Sequence, residues 1–297
     1  MSFTTLTFKL LLNKDLTFNY FSGYYVRGYF YSTLKKFNSE LAEKIHNSRT
    51  LAPFSSKTLT LEQQNYKYVV FKYIKNPSLA SFGYSIFLKE ISKEFLEYVI
   101  QEGSVTLLNE KIPLNEISVR EVNWEEIVET SKPIKKFDLV FLTPTYFRLS
   151  PILFERYETK LMLTEKKEKA PYRYYPLPDP SLLIRSIAKI WRAFSPVKLN
   201  LTSLISWVGA GGIAVSGYPS GIRTYRLYEH EKVDKWVVGF VGRVGFSVPN
   251  DLFNESLAKN LDALLRFSRF SNVGGGRTAG LGMVEYIPLE YAEESKG

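Results

Sequence analysis

The part of this sequence most suited to chemistry is the glycine-rich run VGGGRTAGLGMVEY at residues 273–286. Glycines at this density can adopt positive φ and let backbone amides approach an anion closely, and an arginine among them adds a charge that binds phosphate. The run therefore predicts a phosphate-binding loop, and a tight loop that needs glycine for packing alone is the alternative. The candidate RNA-contacting residues in it are Gly274, Gly275, Gly276, Arg277, Gly280 and Gly282.

The residues around these glycines exclude the common nucleotide-binding motifs. No Gly-Lys-Ser/Thr follows them, and they precede a predicted strand instead of joining a strand to a helix. Cysteine is absent, which excludes disulfides, thiolate metal sites and a cysteine nucleophile. With only His46 and His230 as imidazoles, we expect neither a metal site nor a cofactor.

The two histidines are the side chains whose ordinary pKa allows proton transfer near neutrality. His46 lies near the end of a predicted helix, where an isolated histidine is commonly a surface or capping residue. His230 lies in the charged turn YEHEKVDK, which favours a solvated side chain. From the residues alone, a catalytic role is therefore a hypothesis for His46 only.

The charge predicts a polyanionic partner. The 39 Lys and Arg exceed the 30 Asp and Glu, which gives a formal net charge of +9 and favours nucleic acid over a membrane, since no basic lipid-binding helix is present. Late arginines could form a phosphate track or a solvated surface with ion pairs. These are Arg223, Arg226, Arg243, Arg266, Arg269 and Arg277. Most aromatic residues alternate along strands, so none is assigned to base stacking.

The length of 297 residues suits two domains of ordinary size. The N-terminus lacks the features of a signal peptide, and no segment has the 18 or more consecutive apolar residues of a membrane span. We therefore expect a soluble, cytoplasmic protein that makes no membrane contact.

The hydrophobic patterns predict the order β, α, β, β, α, β twice, which is typical of two ferredoxin-like units. A helix over 21–45 is expected to break near Asn38, and the segment 164–180 predicts a long loop. The fold class is thus α+β with two tandem ferredoxin-like domains, 1–130 and 131–297. The other predicted elements are strands 4–12, 57–61, 66–74, 84–88, 105–108, 116–122, 137–142 and 282–288, helices 91–101, 181–194 and 254–267, and several strands within 212–248.

A glycine loop that closes a second ferredoxin-like domain resembles the repeat-associated CRISPR proteins of the RAMP superfamily. Within them the sequence is most similar to the sixth Cas family, the endoribonucleases that process repeat RNA. Three further stretches fit that family: residues 24–56, FLTPTYF at 141–147 and VGFVGRVGF at 238–246. The resemblance therefore spans nearly the whole chain.

The resemblance implies a catalytic site on the first helical region. Tyr31 matches the family tyrosine and His46, fifteen residues later, the family histidine, whereas Ala52 stands where some relatives have a lysine. The substitutes nearby in sequence are Arg49, Lys57, Lys35 and Lys36. The chemistry implied is metal-independent attack of the RNA 2′-hydroxyl on the adjacent phosphorus, which leaves a 5′-hydroxyl and a 2′,3′-cyclic phosphate.

The partner implied is CRISPR repeat RNA in the precursor transcript. A homodimer and hand-over of the guide RNA to an effector complex stay open. Two alternatives also stay open: a non-cleaving repeat-associated subunit of an effector complex, and a ferredoxin-like module that binds protein.

Overall fold

The computed structural model describes residues 1–47, 51–63, 66–75, 78–149, 173–230 and 235–292. The α+β class with two ferredoxin-like domains is confirmed. The predicted boundary at residues 130 and 131 falls between a short helix, α4 (Trp124–Glu129), and the first strand of the second main sheet, β9 (Ile134–Thr145). In the described ranges no helix is long and apolar enough to cross a membrane.

The N-terminal sheet is organised by the alternation in β1 (Ser2–Leu12), where Phe8 and Leu10 are fully buried and Lys9 between them is not. Its other strands are β3 (Phe54–Gln63), β4 (Tyr66–Val69), β6 (Ser78–Ile86), β7 (Ser104–Leu107) and β8 (Glu110–Asn123). The order is β4-β3-β6-β1-β8-β7, and neighbouring strands are antiparallel. The inner four strands, β8-β1-β6-β3, have the ferredoxin-like arrangement.

Three helices accompany this sheet: α1 (Ser22–Phe37), α2 (Ser39–Asn47) and α3 (Lys89–Glu102). Helix α1 buries Val26, Phe30 and Leu34, which recur every fourth residue along one face. The predicted break at Asn38 is confirmed, because its Oδ1 accepts a hydrogen bond from Leu41 N at 3.0 Å and caps α2.

The C-terminal sheet has the order β15-β9-β14-β12, and β13 also pairs with β14. Helices α5 (Pro180–Phe194) and α7 (Glu255–Ser271) cover it and bury Trp191 and Phe267, and a shorter helix, α6 (Leu201–Trp207), lies between them in the chain. The remaining strands are β10 (Phe147–Leu149), β11 (Arg173–Tyr175), β12 (Ala214–Gly217), β13 (Ile222–His230), β14 (Lys235–Ser247) and β15 (Val284–Tyr291).

Two expectations need correction. The run 66–74 is not one strand: after β4 the chain turns at Phe71, and β5 (Tyr73–Ile74) pairs instead with a short strand, β2 (Leu16–Thr17). The segment 164–180 is not all loop, because β11 lies within it and pairs with β10, and α5 begins at its end. Residues 164–172 lie outside the described residues.

The two domains meet along a polar seam, formed by the start of β3 (residues 54–58) and residues 269–280, which run from the last turn of α7 into the glycine loop. Asn272 Nδ2 donates to the carbonyl of Ser56 at 2.9 Å, and Ser56 Oγ donates to the carbonyl of Thr278 at 2.6 Å. Lys57 Nζ donates to Asn272 Oδ1 at 2.8 Å and to the carbonyl of Arg269. A β3 strand held in this way cannot shift against the C-terminal domain without breaking several hydrogen bonds, one of them buried.

We expect the Lys57 side chain to make stability depend on pH. Burial, followed by the nearby charge of Arg269, lowers the pKa of Lys57 to about 7, whereas the unfolded chain keeps a lysine pKa of about 10.4. Between these values the unfolded state holds more protons, so the free energy of unfolding rises with pH by at most about 1.4 kcal/mol per pH unit. Lys57→Met should remove that slope.

The measurement is urea unfolding of both proteins from pH 7 to 9, below the range in which tyrosines titrate. Lys259→Met, at an exposed position of α7, is the matched control and should keep the wild-type slope. Parallel pH profiles for wild type and Lys57→Met would contradict this account of the seam.

Candidate active site

A cleft of about 520 Å³ lies between the two domains, next to the seam. Five basic side chains line it, and among the described residues its wall contains no Asp or Glu. Positive charges grouped in a concave wall raise the local concentration of a polyanion. The five residues are Arg27, Arg148, Arg185, Lys189 and Arg277.

Helical spacing places four of the cleft residues. On α1, Tyr24 and Arg27 are three residues apart, and the Arg27 guanidinium lies 5.2 Å from the centre of the Tyr24 ring. On α5, Arg185 and Lys189 are one turn apart and exposed, whereas the opposite face of the helix is buried. The Asp179 side chain caps α5 by accepting a hydrogen bond from Leu182 N at 2.7 Å. This cap fixes the start of the helix and therefore the positions of Arg185 and Lys189 along it.

Tyr31 is held beside two of the cleft arginines. Its ring packs edge-on against Phe54, with ring centres 5.6 Å apart. Burial raises the pKa of the Tyr31 hydroxyl, against the opposing effect of Arg27 and then Arg277, whose charges favour the phenolate. The hydroxyl therefore stays protonated near neutrality, where it can donate a hydrogen bond but not act as a base.

Arg277 is buried, contrary to the prediction of a guanidinium free to bind phosphate. Its Nη1 donates to the carbonyl of Phe54 at 2.5 Å, and its Nη2 donates to the carbonyl of Ala52. Burial lowers the pKa of Arg277 to about 10, so the side chain remains charged at neutral pH. Because these donors are used on the protein, the first role of Arg277 in this structure is to hold the entry to β3 at the cleft wall.

The glycine loop, residues 273–282, also differs from its prediction, because most of its glycine amides are used within the protein. Gly274 N donates to Ser186 Oγ at 3.1 Å and Gly275 N to the carbonyl of Tyr146 at 2.8 Å. Further along, Gly280 N donates to the carbonyl of Arg277 and Gly282 N to that of Pro144, both at 3.2 Å. These amides do not point to an anion, and they fix the loop against its neighbours.

Close packing explains the glycines at two positions. A Cβ on Gly282, which has φ +70°, would lie 1.8 Å from the carbonyl oxygen of Val273. A Cβ on Gly275 would lie 2.3 Å from the Tyr146 ring. The packing alternative therefore accounts for much of the pattern, although residues 274–276 still line the cleft.

The other predicted cations do not line the cleft. Lys57 is committed to the seam, and Arg269 is exposed with its guanidinium 5.3 Å from the centre of the Phe270 ring. Lys35 and Lys36 are exposed in the last turn of α1, about 12 Å along the helix from Arg27.

Two predicted RNA contacts lie on the surface strand β13. Arg223 and Arg226 are both exposed there. The Arg226 guanidinium stacks 4.1 Å above the Trp236 ring. These arginines lie in the domain that supplies α5 and the glycine loop, outside the wall of the cleft.

His46 belongs to the last turn of α2, but its side chain lies outside the described residues, as do Arg49 and the side chain of His230. Leu51, five residues after His46, lines the cleft. Five residues of chain span at most about 18 Å, so the backbone of His46 lies within that distance of the cleft wall.

The four cleft cations other than Arg277 are not among the residues predicted from the sequence. Arg27 carried a usable signal, since it has helical spacing with Tyr24 and Tyr31, and so did the pair Arg185 and Lys189 on an amphipathic helix. Arg148 carried none, because only the folding of β10 against α5 brings it to the cleft.

One family profile and several solved structures are similar to this chain. The sequence profile of the family described as CRISPR-associated endoribonuclease Cas6 matches residues 139–284, which run from β9 through the glycine loop into β15. No curated protein sequence is significantly similar to the chain.

Several solved structures share the fold over nearly their whole length. Thermus thermophilus Cas6 is 22% identical, with a TM-score of 0.65, 97% of this chain covered and 99% of that one. A product complex of the same protein gives 21% identity, a TM-score of 0.71 and the same coverage. A Cas6-related protein from Pyrococcus furiosus is 13% identical, with a TM-score of 0.53 and coverage of 97% and 99%. Likeness at these identities shows the shared fold.

Proposed function

We propose, since this chain belongs to the Cas6 family of CRISPR-associated endoribonucleases, that it binds CRISPR repeat RNA and cuts the precursor transcript within each repeat to release guide RNAs. The observation that carries the proposal is the interdomain cleft, with five cations and no described carboxylate in its wall. An RNA strand requires such a site, because binding must neutralise several backbone phosphates at once.

The cut is an internal transfer at phosphorus. The 2′-oxygen attacks the adjacent phosphorus as the bond from phosphorus to the 5′-oxygen breaks, and a proton passes from the 2′-hydroxyl to a base while the leaving oxygen receives one. The products are a 2′,3′-cyclic phosphate and a 5′-hydroxyl. The protein needs to supply in-line geometry, proton transfer and stabilisation of negative charge on the phosphorane.

We assign proton transfer to His46 and hydrogen-bond donation to Tyr31. An imidazole with a pKa of about 6.5 can accept or give a proton near neutrality. Burial keeps the Tyr31 hydroxyl neutral, so it can donate a hydrogen bond that orients the phosphate or the leaving oxygen. The chain beyond α2 leads from His46 to Leu51 in the cleft wall, which supports placing both residues at one site.

Arg27 is the cation we assign to the phosphate. It lines the cleft and its charge acts on the Tyr31 hydroxyl, whereas Lys57 is held in the seam and Lys35 and Lys36 lie at the far end of α1. Arg49 remains a second candidate. Fixed cations of this kind can stabilise the phosphorane, so the proposed reaction uses no metal and no other cofactor.

We expect His46→Ala to slow single-turnover cleavage of repeat RNA by about a hundred- to ten-thousandfold, because general acid or base catalysis typically contributes that much. RNA affinity should stay near the wild-type value. Lys44→Ala, an exposed change on the same helix, is the control and should cleave normally. A 2′-deoxy nucleotide at the cut site should abolish cleavage by every variant, since the nucleophile is missing.

The outcome also separates the alternatives. Cleavage by His46→Ala at the wild-type rate would remove His46 from the site and leave the family assignment intact. Tight RNA binding without any cleavage would favour a non-cleaving subunit of an effector complex. Absence of RNA binding at low salt would favour a protein-interaction module.

Chelation tests the metal-free mechanism. Cleavage in excess EDTA should proceed at nearly the rate seen without it, because the charge stabilisation comes from side chains fixed in the cleft. The measurement is the single-turnover rate with and without chelator. Loss of activity that magnesium or manganese restores would refute the mechanism.

The two cleft cations on α5, Arg185 and Lys189, should each contribute one phosphate contact. Arg185→Ala and Lys189→Ala should each weaken RNA binding and reduce the slope of log affinity against log salt by about one. Lys259→Ala, on the neighbouring α7 and outside the cleft wall, should change neither quantity. Unchanged slopes for both α5 variants would place the RNA elsewhere.

A further inference from the structure

A row of aromatic rings leads from the cleft to an exposed surface strand. The Tyr24 ring, in the cleft wall, lies 6.0 Å from the ring of Phe21, and Phe21 lies 5.4 Å from Phe71. Phe71 in turn lies 5.3 Å from Tyr225 on β13, centre to centre. Phe21 is buried, and Tyr24, Phe71 and Tyr225 reach the surface around it, with Tyr225 37% exposed.

The middle of this row is held rigidly. Phe71 occupies the turn between β4 and β5, and its carbonyl accepts a hydrogen bond from Ser22 N, the first residue of α1, at 2.9 Å. The next carbonyl, of Lys72, accepts one from Phe18 N at 2.7 Å. The Ser22 hydroxyl also donates to the carbonyl of Val70. Because the backbone of the turn is fixed and the Phe71 ring packs between Phe21 and Tyr225, this part of the row loses little conformational entropy when a ligand stacks on it.

A basic residue lies close in sequence or in space to each of the three rings, of which Tyr24 and Phe71 are half-buried and Tyr225 is exposed. The Arg27 guanidinium lies over Tyr24, and exposed Lys72 follows Phe71 in the chain. Arg223 is exposed two residues before Tyr225, hence on the same face of β13. Aromatic faces combined with cations are the means by which proteins hold unpaired nucleotides, since bases stack on rings while cations track the backbone.

We propose that Tyr24, Phe71 and Tyr225, with Arg223, form a stacking subsite for unpaired nucleotides that flank the RNA segment in the cleft. The proposal rests on the proposed function, because it uses the same cleft as the starting point of the strand. An RNA strand fits better than a protein partner, because Arg27, Lys72 and Arg223 continue the positive charge of the cleft along the row of rings.

The test measures whether the loss of one base and the loss of one aromatic ring have independent effects on binding. The probes are a fluorescent oligouridine and the same oligomer with a single abasic position, which keeps every phosphate and lacks one base. Tyr225→Leu keeps apolar packing on Phe71 and removes the stacking face. For wild type, the abasic change that reaches the subsite should weaken binding about tenfold, which is within the range measured for single base stacks. Tyr225→Leu should bind the complete oligomer about tenfold more weakly and should not respond to the abasic change.

Salt and matched variants separate stacking from charge and from folding. Tyr225→Leu should leave the salt slope unchanged, and Arg223→Ala should reduce it by about one. Tyr225→Phe should behave as wild type. Tyr98→Leu is the aromatic control: Tyr98 packs on Phe37, about 20 Å along α1 from Tyr24. Thermal unfolding of each variant checks that the fold is intact.

Equal binding of the complete and abasic oligomers by wild type would overturn the subsite. The row of aromatic rings would then be assigned to contact with a protein partner. Full base discrimination by Tyr225→Leu would also overturn the subsite. Cleavage of repeat RNA is measured in parallel, so that the two proposals can fail separately. If the RNA is cleaved but the effect of the abasic change does not depend on Tyr225, the subsite alone is overturned. If that effect depends on Tyr225 but the RNA is not cleaved, the subsite is upheld and the nuclease proposal is overturned.

Discussion

The hydrogen-bonded seam between β3 and the segment after α7 is the contact on which the rest of the structure depends. Asn272, at φ 56°, donates through Nδ2 to the carbonyls of Ser56 and Arg277 and accepts from Lys57 through Oδ1. Arg277 adds its bonds to the carbonyls of Ala52 and Phe54. The glycine loop and the entry to β3 are thereby one rigid unit, and the cleft is the space that this unit leaves between α1 and α5.

The seam explains why a glycine-rich loop is needed. Gly280 is packed so closely against Thr58 of β3 that a Cβ would lie 2.9 Å from the threonine Cβ, and Thr143 Oγ1 donates to the Gly280 carbonyl at 2.7 Å. Any larger residue would push the two domains apart. The loop thus contributes to the cleft mainly by letting the two domains approach, and most of the positive charge comes from side chains on α1, α5 and β10.

The fold could be predicted because its signals are local. Alternation along β1 and helical spacing in α1 and α5 each depend on a few consecutive residues, and the break at Asn38 has a capping residue to mark it. The failures were of another kind. The turn at Phe71 is set by pairing with β2, which is far away in sequence, so a run of β-forming residues did not reveal it.

The site was less predictable because the sequence shows which residues are charged but does not show which of them are buried. Arg277 has the residue type and the glycine neighbours of a phosphate ligand, yet β3 covers it, and no pattern in its own segment reports that. Lys57 lies near the predicted catalytic residues in sequence and is turned into the seam. The other four cations that line the cleft come from α1, β10 and α5, and only the packing of the domains brings them together.

Helix α1 carries both Tyr24, next to the aromatic row, and Tyr31, beside Arg27 and Arg277. Seven residues of α-helix separate them by about 10 Å and by nearly two full turns, so they face the same side. In the proposed complex with RNA, the helix would therefore fix the distance between a bound base and the phosphate to be cut. Inserting one residue between the two tyrosines would increase their separation along the helix axis by only about 1.5 Å. It would also rotate one tyrosine by about 100° around the axis relative to the other. Substitutions on the face of such a helix are tolerated during evolution more easily than an insertion or deletion between Tyr24 and Tyr31.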